Sequence, residues 1–292
     1  MKFLYFIPIL FVFFFGIAFG ILNIGDSLPI NENNKVEHIN ENIVDLEIPI
    51  KKPSQNILIL GIDSKKDEHS RSDVIILFNM KEDAVNLVSI PRDTQISLKD
   101  KGKVKINAAY VYGGIELSKS TIENLLDIEI DNYIVLNFNA IKKGVDAIGG
   151  FTVTIPKDIK IYDPDSRKRI TLKKGTHKLN GIQTLSYLRY RSDGKGDLAR
   201  IDRQQQFIKD LQQNFLKLDN IPLIPRAYAA VHEDIETDMN SSHIASFFIN
   251  GYHLREKFQY YTLDGNAKTI DGISYLIHSE DSLNEIKKIL KD

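Results

Sequence analysis

No cysteine occurs among the 292 residues, and 38 basic against 39 acidic side chains leave a formal net charge of -1. The first absence excludes disulfides, thiolate zinc sites and cysteine nucleophiles, and fits an extracellular or a cytosolic address alike. The second excludes a uniformly basic nucleic-acid binder, and no helix-turn-helix signature stands in its place, so no nucleic-acid partner is expected. Seven histidines are scattered without ligand spacing, which favours surface or core roles over a zinc site. No internal repeat is present. No Walker lysine follows Gly149 and Gly150, so these glycines read as a helix end.

What is present starts at the N-terminus. Residues 3–22 carry no charge, and at about 1.5 Å per residue they would span about 30 Å of hydrocarbon. Lys2 on one side and Asp26 on the other place the N-terminus in the cytoplasm and the remainder outside. Two readings are open: an uncleaved anchor, favoured by the length of the run, or a signal peptide cleaved at the small residues Ala18 and Gly20. The expected organisation is a cytoplasmic tip at 1–2, a transmembrane signal-anchor at 3–22, an extracytoplasmic Asn/Glu-rich linker at 23–52 and a folded domain at 53–292. The expected localisation is the cell membrane, as a single-pass protein.

Within that domain, residues 56–63 form a short, nearly continuous apolar run ending near Gly61, the pattern of a buried strand. Residues 74–80 and 85–90 flank the turn KEDA and read as a hairpin. Helical patterns at 118–128, 140–150, 201–218 and 281–291 are interleaved with strands at 133–139 and 151–156, which argues for an α/β layered domain. Tyr187, Tyr190, Phe138 and Phe207 suit core packing or an apolar channel.

Asp63 ends the first strand, Asp73 starts the second and Arg92 follows the third, so antiparallel neighbours would bring all three to one edge. Two carboxylates without cysteine or paired histidine suit a hard cation such as Mg²⁺, with phosphate oxygens completing its shell. Alternatively Asp63 caps a turn and Asp73 pairs with Arg71. Four arginines gather in RYRSDGKGDLARIDRQ: Arg189, Arg191, Arg200 and Arg203. Arg200, Arg203 and Gln204 share one face of a helix N-terminus, where an anion is already favoured, and Arg189 and Arg191 would share a face if extended. Guanidiniums grip phosphates in bidentate fashion; the bland alternative is a solvated face paired with Asp193, Asp197 and Asp202.

The ordered blocks NILILGID, SRSDVIIL, SIPRDT, KINAAYVYGG, VDAIGGFTV, LNGIQTLSYLRYR and GDLARIDRQQQFI resemble the LytR-CpsA-Psr family over about residues 53–218. The resemblance implies a single mixed-sheet layered α/β domain with flanking helices behind one N-terminal transmembrane helix. It implies transfer of a glycopolymer phosphate from a polyprenyl-pyrophosphate carrier to a peptidoglycan sugar hydroxyl, with Mg²⁺ as cofactor. Carried onto this sequence, Asp63 and Asp73 hold the metal. Arg92, Arg189, Arg191, Arg200 and Arg203, with Gln204, hold the phosphates. Asp73, Asp93 and Arg92 are the catalytic candidates, Asp93 either orienting Arg92 or acting as a base. The rival readings are a lipid-phosphate-binding or pyrophosphatase protein without ligase activity, and a transcriptional regulator.

Overall fold

The computed structural model describes residues 54–63, 70–163, 167–190, 229–240, 243–244, 246–247, 250, 254 and 256–291. The expected anchor at 3–22, the linker at 23–52 and the helix at 201–218 lie outside these residues. Among the described residues, no helix is long and apolar enough to cross a membrane.

The chain opens with β1 (Ser54–Ile62), β2 (Ser72–Lys81) and β3 (Val85–Ser89), then a small hairpin of β4 (Gln95–Leu98) and β5 (Gly102–Lys105). Helix α1 (Ala108–Leu126), β6 (Asn132–Asn137) and α2 (Phe138–Ala147) follow. Next come β7 (Phe151–Ile155), β8 (Ile159–Asp163), β9 (Lys168–Leu172), β10 (Gly175–Leu179) and α3 (Gly181–Arg189). The remainder supplies β11 (Ile235–Thr237), β12 (Phe258–Thr262), β13 (Gly265–Ile270), β14 (Ile273–His278) and α4 (Glu280–Lys291).

Six strands form a mixed sheet in the order β11-β6-β1-β2-β3-β12. β1 to β3 are successively antiparallel, whereas β6 runs parallel to β1 and β12 parallel to β3. Alternate residues of β1 face opposite cores, as a pleat requires. Ile57 and Ile59 join Phe78, Val145 and Tyr187 on one face; Leu58 and Leu60 join Leu77, Ile122 and Ile286 on the other. A sheet covered on both faces has no solvent side, hence the unbroken apolar run in β1. Register across the three antiparallel strands is fixed by an asparagine ladder. Asn79 Nδ2 donates to Asn56 Oδ1 and Asn86 Nδ2 to Asn79 Oδ1, each at 2.9 Å, so a slip would strand these amides in the core.

Helix α3 starts with a capping box in which Asn180 accepts from the Gln183 N–H and the Gln183 side chain accepts from the Asn180 N–H. Gly181 then lets α3 approach α2, because a Cβ there would lie 2.1 Å from the Lys142 carbonyl oxygen. Gly181→Ala must push the two helices apart, and a loss of about 1–3 kcal/mol is expected in the denaturant midpoint. Gly149 and Gly150 end α2 as expected: both have positive φ, and their N–H groups donate to Asp146 and Val145 carbonyls.

Candidate functional site

The antiparallel order of β1, β2 and β3 brings the end of β1, the start of β2 and the end of β3 to one edge. Gly61 pairs with Val74 and Ile62 with Ser72, leaving Asp73 as the extra residue of a β-bulge. A bulge re-aims a side chain, and the Asp73 carboxylate takes a 2.7 Å hydrogen bond from Arg92 Nη1. Asp73 therefore pairs with Arg92 and not with Arg71.

Arg92 and Asp93 occupy the centre of a turn closed by the Thr94 N–H donating to the Pro91 carbonyl at 2.9 Å. Neighbouring segments hold this turn by its backbone: Leu276 N–H donates to the Asp93 carbonyl, Ile106 N–H to that of Thr94 and Asn107 N–H to that of Arg92. Thus β14, β5 and the start of α1 all aim the Arg92 turn. Asp93 lies 3.8 Å from Arg92 Nε and 2.7 Å from Lys105 Nζ. The charges alternate in a line, Asp73, Arg92, Asp93, Lys105.

These four side chains are 27–43% exposed, so a ligand can reach them and the pairs add little stability. A rigid backbone carrying pairs that cost little to rearrange suits an incoming anion. Lys105 was not singled out from the sequence; it is the last residue of β5, paired in register with Gln95, where the hairpin returns toward Asp93.

Asp63 is exposed at the end of β1 and has no partner among the described residues. Asp73 uses only Oδ1 toward Arg92. Two oxygen donors with room for more fit a hard cation. No group of three or more His, Cys, Asp or Glu able to hold a metal occurs among the described residues, so phosphate oxygens and water would fill the shell, as Mg²⁺ prefers.

The same edge extends onto β6, where Asn137 pairs with Ile62 in register. Asn137 caps α2 by accepting from the Asn139 and Ala140 N–H groups, and its Nδ2 donates to Asp234 Oδ1 at 3.1 Å. The Asp234 side chain is fully buried, and Lys143 Nζ reaches its other oxygen at 2.5 Å. This hydrogen bond holds the Lys143 amine above its ordinary pKa. Lys143→Ala removes the cation from a buried carboxylate and is expected to cost about 1–3 kcal/mol in thermal unfolding, more than removal of an exposed pair.

Arg189 is the last residue of α3, and the backbone becomes extended only at Tyr190 (φ -61°, ψ 132°). The condition under which Arg189 and Arg191 would share a face, an extended segment, is not met by the backbone at Arg189, which the capping box and the buried Leu185 and Leu188 keep helical. Arg191, Arg200, Arg203 and Gln204 lie outside the described residues. Tyr187 is 2% exposed within the core, and Phe138 and Tyr190 pack against the same cluster, whereas Phe207 lies outside the described residues.

Residues 26–292 match the LytR_cpsA_psr family. The chain is 31% identical over 253 residues to the polyisoprenyl-teichoic acid–peptidoglycan teichoic acid transferase TagU of Bacillus subtilis, covering 85% of this chain and 81% of that one. The crystal structure of TagV from B. subtilis superposes with a TM-score of 0.67 at 30% identity, over 83% of this chain and 97% of that chain. TagT with bound octaprenyl pyrophosphate superposes at 0.61 and 27% identity, over 82% and 90%. Sequence match and mixed-sheet architecture agree: this chain belongs to the LytR_cpsA_psr family.

Proposed function

We propose that the chain is a phosphotransferase that moves a glycopolymer phosphate from a polyprenyl-pyrophosphate carrier to a peptidoglycan sugar hydroxyl. The observation that carries the reading is the alternating line Asp73, Arg92, Asp93, Lys105 beside Asp63, on a domain of a family whose relative TagU is named for this transfer. The acceptor hydroxyl oxygen attacks the phosphorus nearest the glycan. The bridging P–O bond breaks, polyprenyl phosphate leaves, and a phosphodiester joins polymer to acceptor.

Negative charge grows on the transferred and leaving phosphates, so preorganised cations lower the barrier more than they tighten ground-state binding. Arg92 and Lys105 supply two such cations; Arg189, Arg191, Arg200 and Arg203, with Gln204, are the further phosphate-binding candidates of the sequence. Asp63 and Asp73 would hold Mg²⁺, which supplies further neutralisation of phosphate charge when bound. Asp93, set between Arg92 and Lys105, would orient both, and whichever of Asp73 and Asp93 is released from its cation would take the hydroxyl proton. An N-terminal span at 3–22 with the domain outside the cytoplasm would bring the site to a lipid-linked donor.

The test follows polyprenyl phosphate released from a lipid-pyrophosphoryl glycan with and without a peptidoglycan oligomer. Release that requires the oligomer supports transfer; equal release without it makes the protein a pyrophosphatase, and binding without release makes it a carrier module.

A further inference from the structure

Strands β7 to β10 form two consecutive antiparallel pairs, β7 with β10 and β8 with β9. Pairing of β7 with β10 ends at Ile155 and Gly175 and resumes between β8 and β9 at Ile159 and Leu172, with one more linking residue on the first strand than on the second. Phe151, Val153, Ile155, Ile161, Leu172 and Leu179 point into the core. The pleat therefore turns the alternate positions outward. Three of these are cations, Lys160, Arg169 and Lys178, and four are threonines, Thr152, Thr154, Thr171 and Thr176, all exposed.

Tyr162 stands among them at 61% exposure, opposite Arg169 in register. Among the outward positions of β7 to β10 whose side chains are described, none is acidic. At the interruption, Asp158 accepts from Lys173 Nζ and the Lys174 N–H, each at 2.8 Å, and the Lys173 bond holds its carboxyl below the ordinary range. The Asp158 carboxylate is thus already matched.

We infer that this outward face of the two strand pairs docks on an anionic phospholipid bilayer, through Lys160, Arg169 and Lys178 with Tyr162 at headgroup level. Cations near an anionic surface are attracted within about a Debye length. An exposed tyrosine presents an apolar ring and a polar hydroxyl, the combination that suits the membrane interface. A soluble polyanion would need only the cations. The apolar run at 3–22 also precedes β1 in the chain, so the domain is held near the bilayer; the inference rests on that tethered reading.

The chain has no cysteine, so Thr171→Cys gives one attachment point for a nitroxide on the 292-residue chain in nanodiscs. In phosphatidylglycerol discs, collisions of the label with a water-soluble nickel chelate are expected to be about threefold or more rarer than in phosphatidylcholine discs, and about 0.5 M salt should remove the difference. The triple change Lys160→Glu, Arg169→Glu, Lys178→Glu should also remove it, with turnover in detergent unchanged. If that variant does not fold, the lipid and salt comparisons on the parent still decide.

Equal accessibility in both discs overturns the inference, as does protection by a soluble poly(glycerol phosphate) but not by phosphatidylglycerol. If the chain elutes apart from the discs, the tether is wrong. The face is then tested by sedimentation with vesicles of the same two lipids, where binding to phosphatidylglycerol alone supports it and binding to neither overturns it.

Discussion

Arg92→Ala is expected to slow transfer about 100- to 1000-fold, with little change in the thermal midpoint. The two halves of this expectation have separate causes. Asp73 and Arg92 are partly exposed, and such a pair contributes at most about 1 kcal/mol to folding. The guanidinium is nevertheless held in place, by its 2.7 Å bond to Asp73 and by a turn fastened to β14, β5 and α1. A fixed donor need not reorganise as phosphate charge develops, and its loss raises the barrier. Arg92→Lys keeps the charge but loses the planar fork, so it should restore only part of the rate. Steady-state rates beside melting curves check this, and a near-normal rate in Arg92→Ala would remove the site assignment.

Asp63→Asn should lower the rate at limiting Mg²⁺ by about 100-fold and raise the Mg²⁺ concentration for half-maximal rate at least tenfold, with excess Mg²⁺ recovering much of the loss. Asp63 takes part in no hydrogen bond or ion pair among the described residues, so its loss is expected to act through cation binding. Asp73 also aims Arg92, so Asp73→Asn should lose rate in a manner that excess Mg²⁺ restores only partly. Chelation should stop turnover of the parent chain. Titration of both variants separates the roles; an unchanged Mg²⁺ dependence in Asp63→Asn removes it from the metal site.

The first three strands were legible because both sheet faces are covered, which makes β1 a run of apolar residues that no amphipathic helix would show. Antiparallel order then placed Asp63, Asp73 and Arg92 at one edge without further information. Other parts depended on chain returns that carry weak local signals. Helix α1 begins at Ala108, ten residues before the expected start, and contains Gly113 and Gly114. They do kink the helix, Gly114 adopting φ 61° and ψ -148°, but packing of Ala109, Ile122 and Leu126 carries the element across. Of the two strand pairs only β7 was recognised, since β8 to β10 are rich in lysine and threonine and bury one face. Lys105 and the Asn137–Asp234–Lys143 cluster join residues distant in sequence, and no spacing rule reports them. Across the described edge, what could be read was the chemistry of the first strands; what could not was the set of neighbours that orients it.

Coupled transfer is checked by mass spectrometry of the product formed from a polyprenyl-pyrophosphate-linked glycan and a peptidoglycan oligomer by the 292-residue chain with Mg²⁺. The expected product is polymer joined to the oligomer through a single phosphodiester, absent from reactions with Arg92→Ala. Free glycan phosphate with unmodified oligomer would contradict coupled transfer.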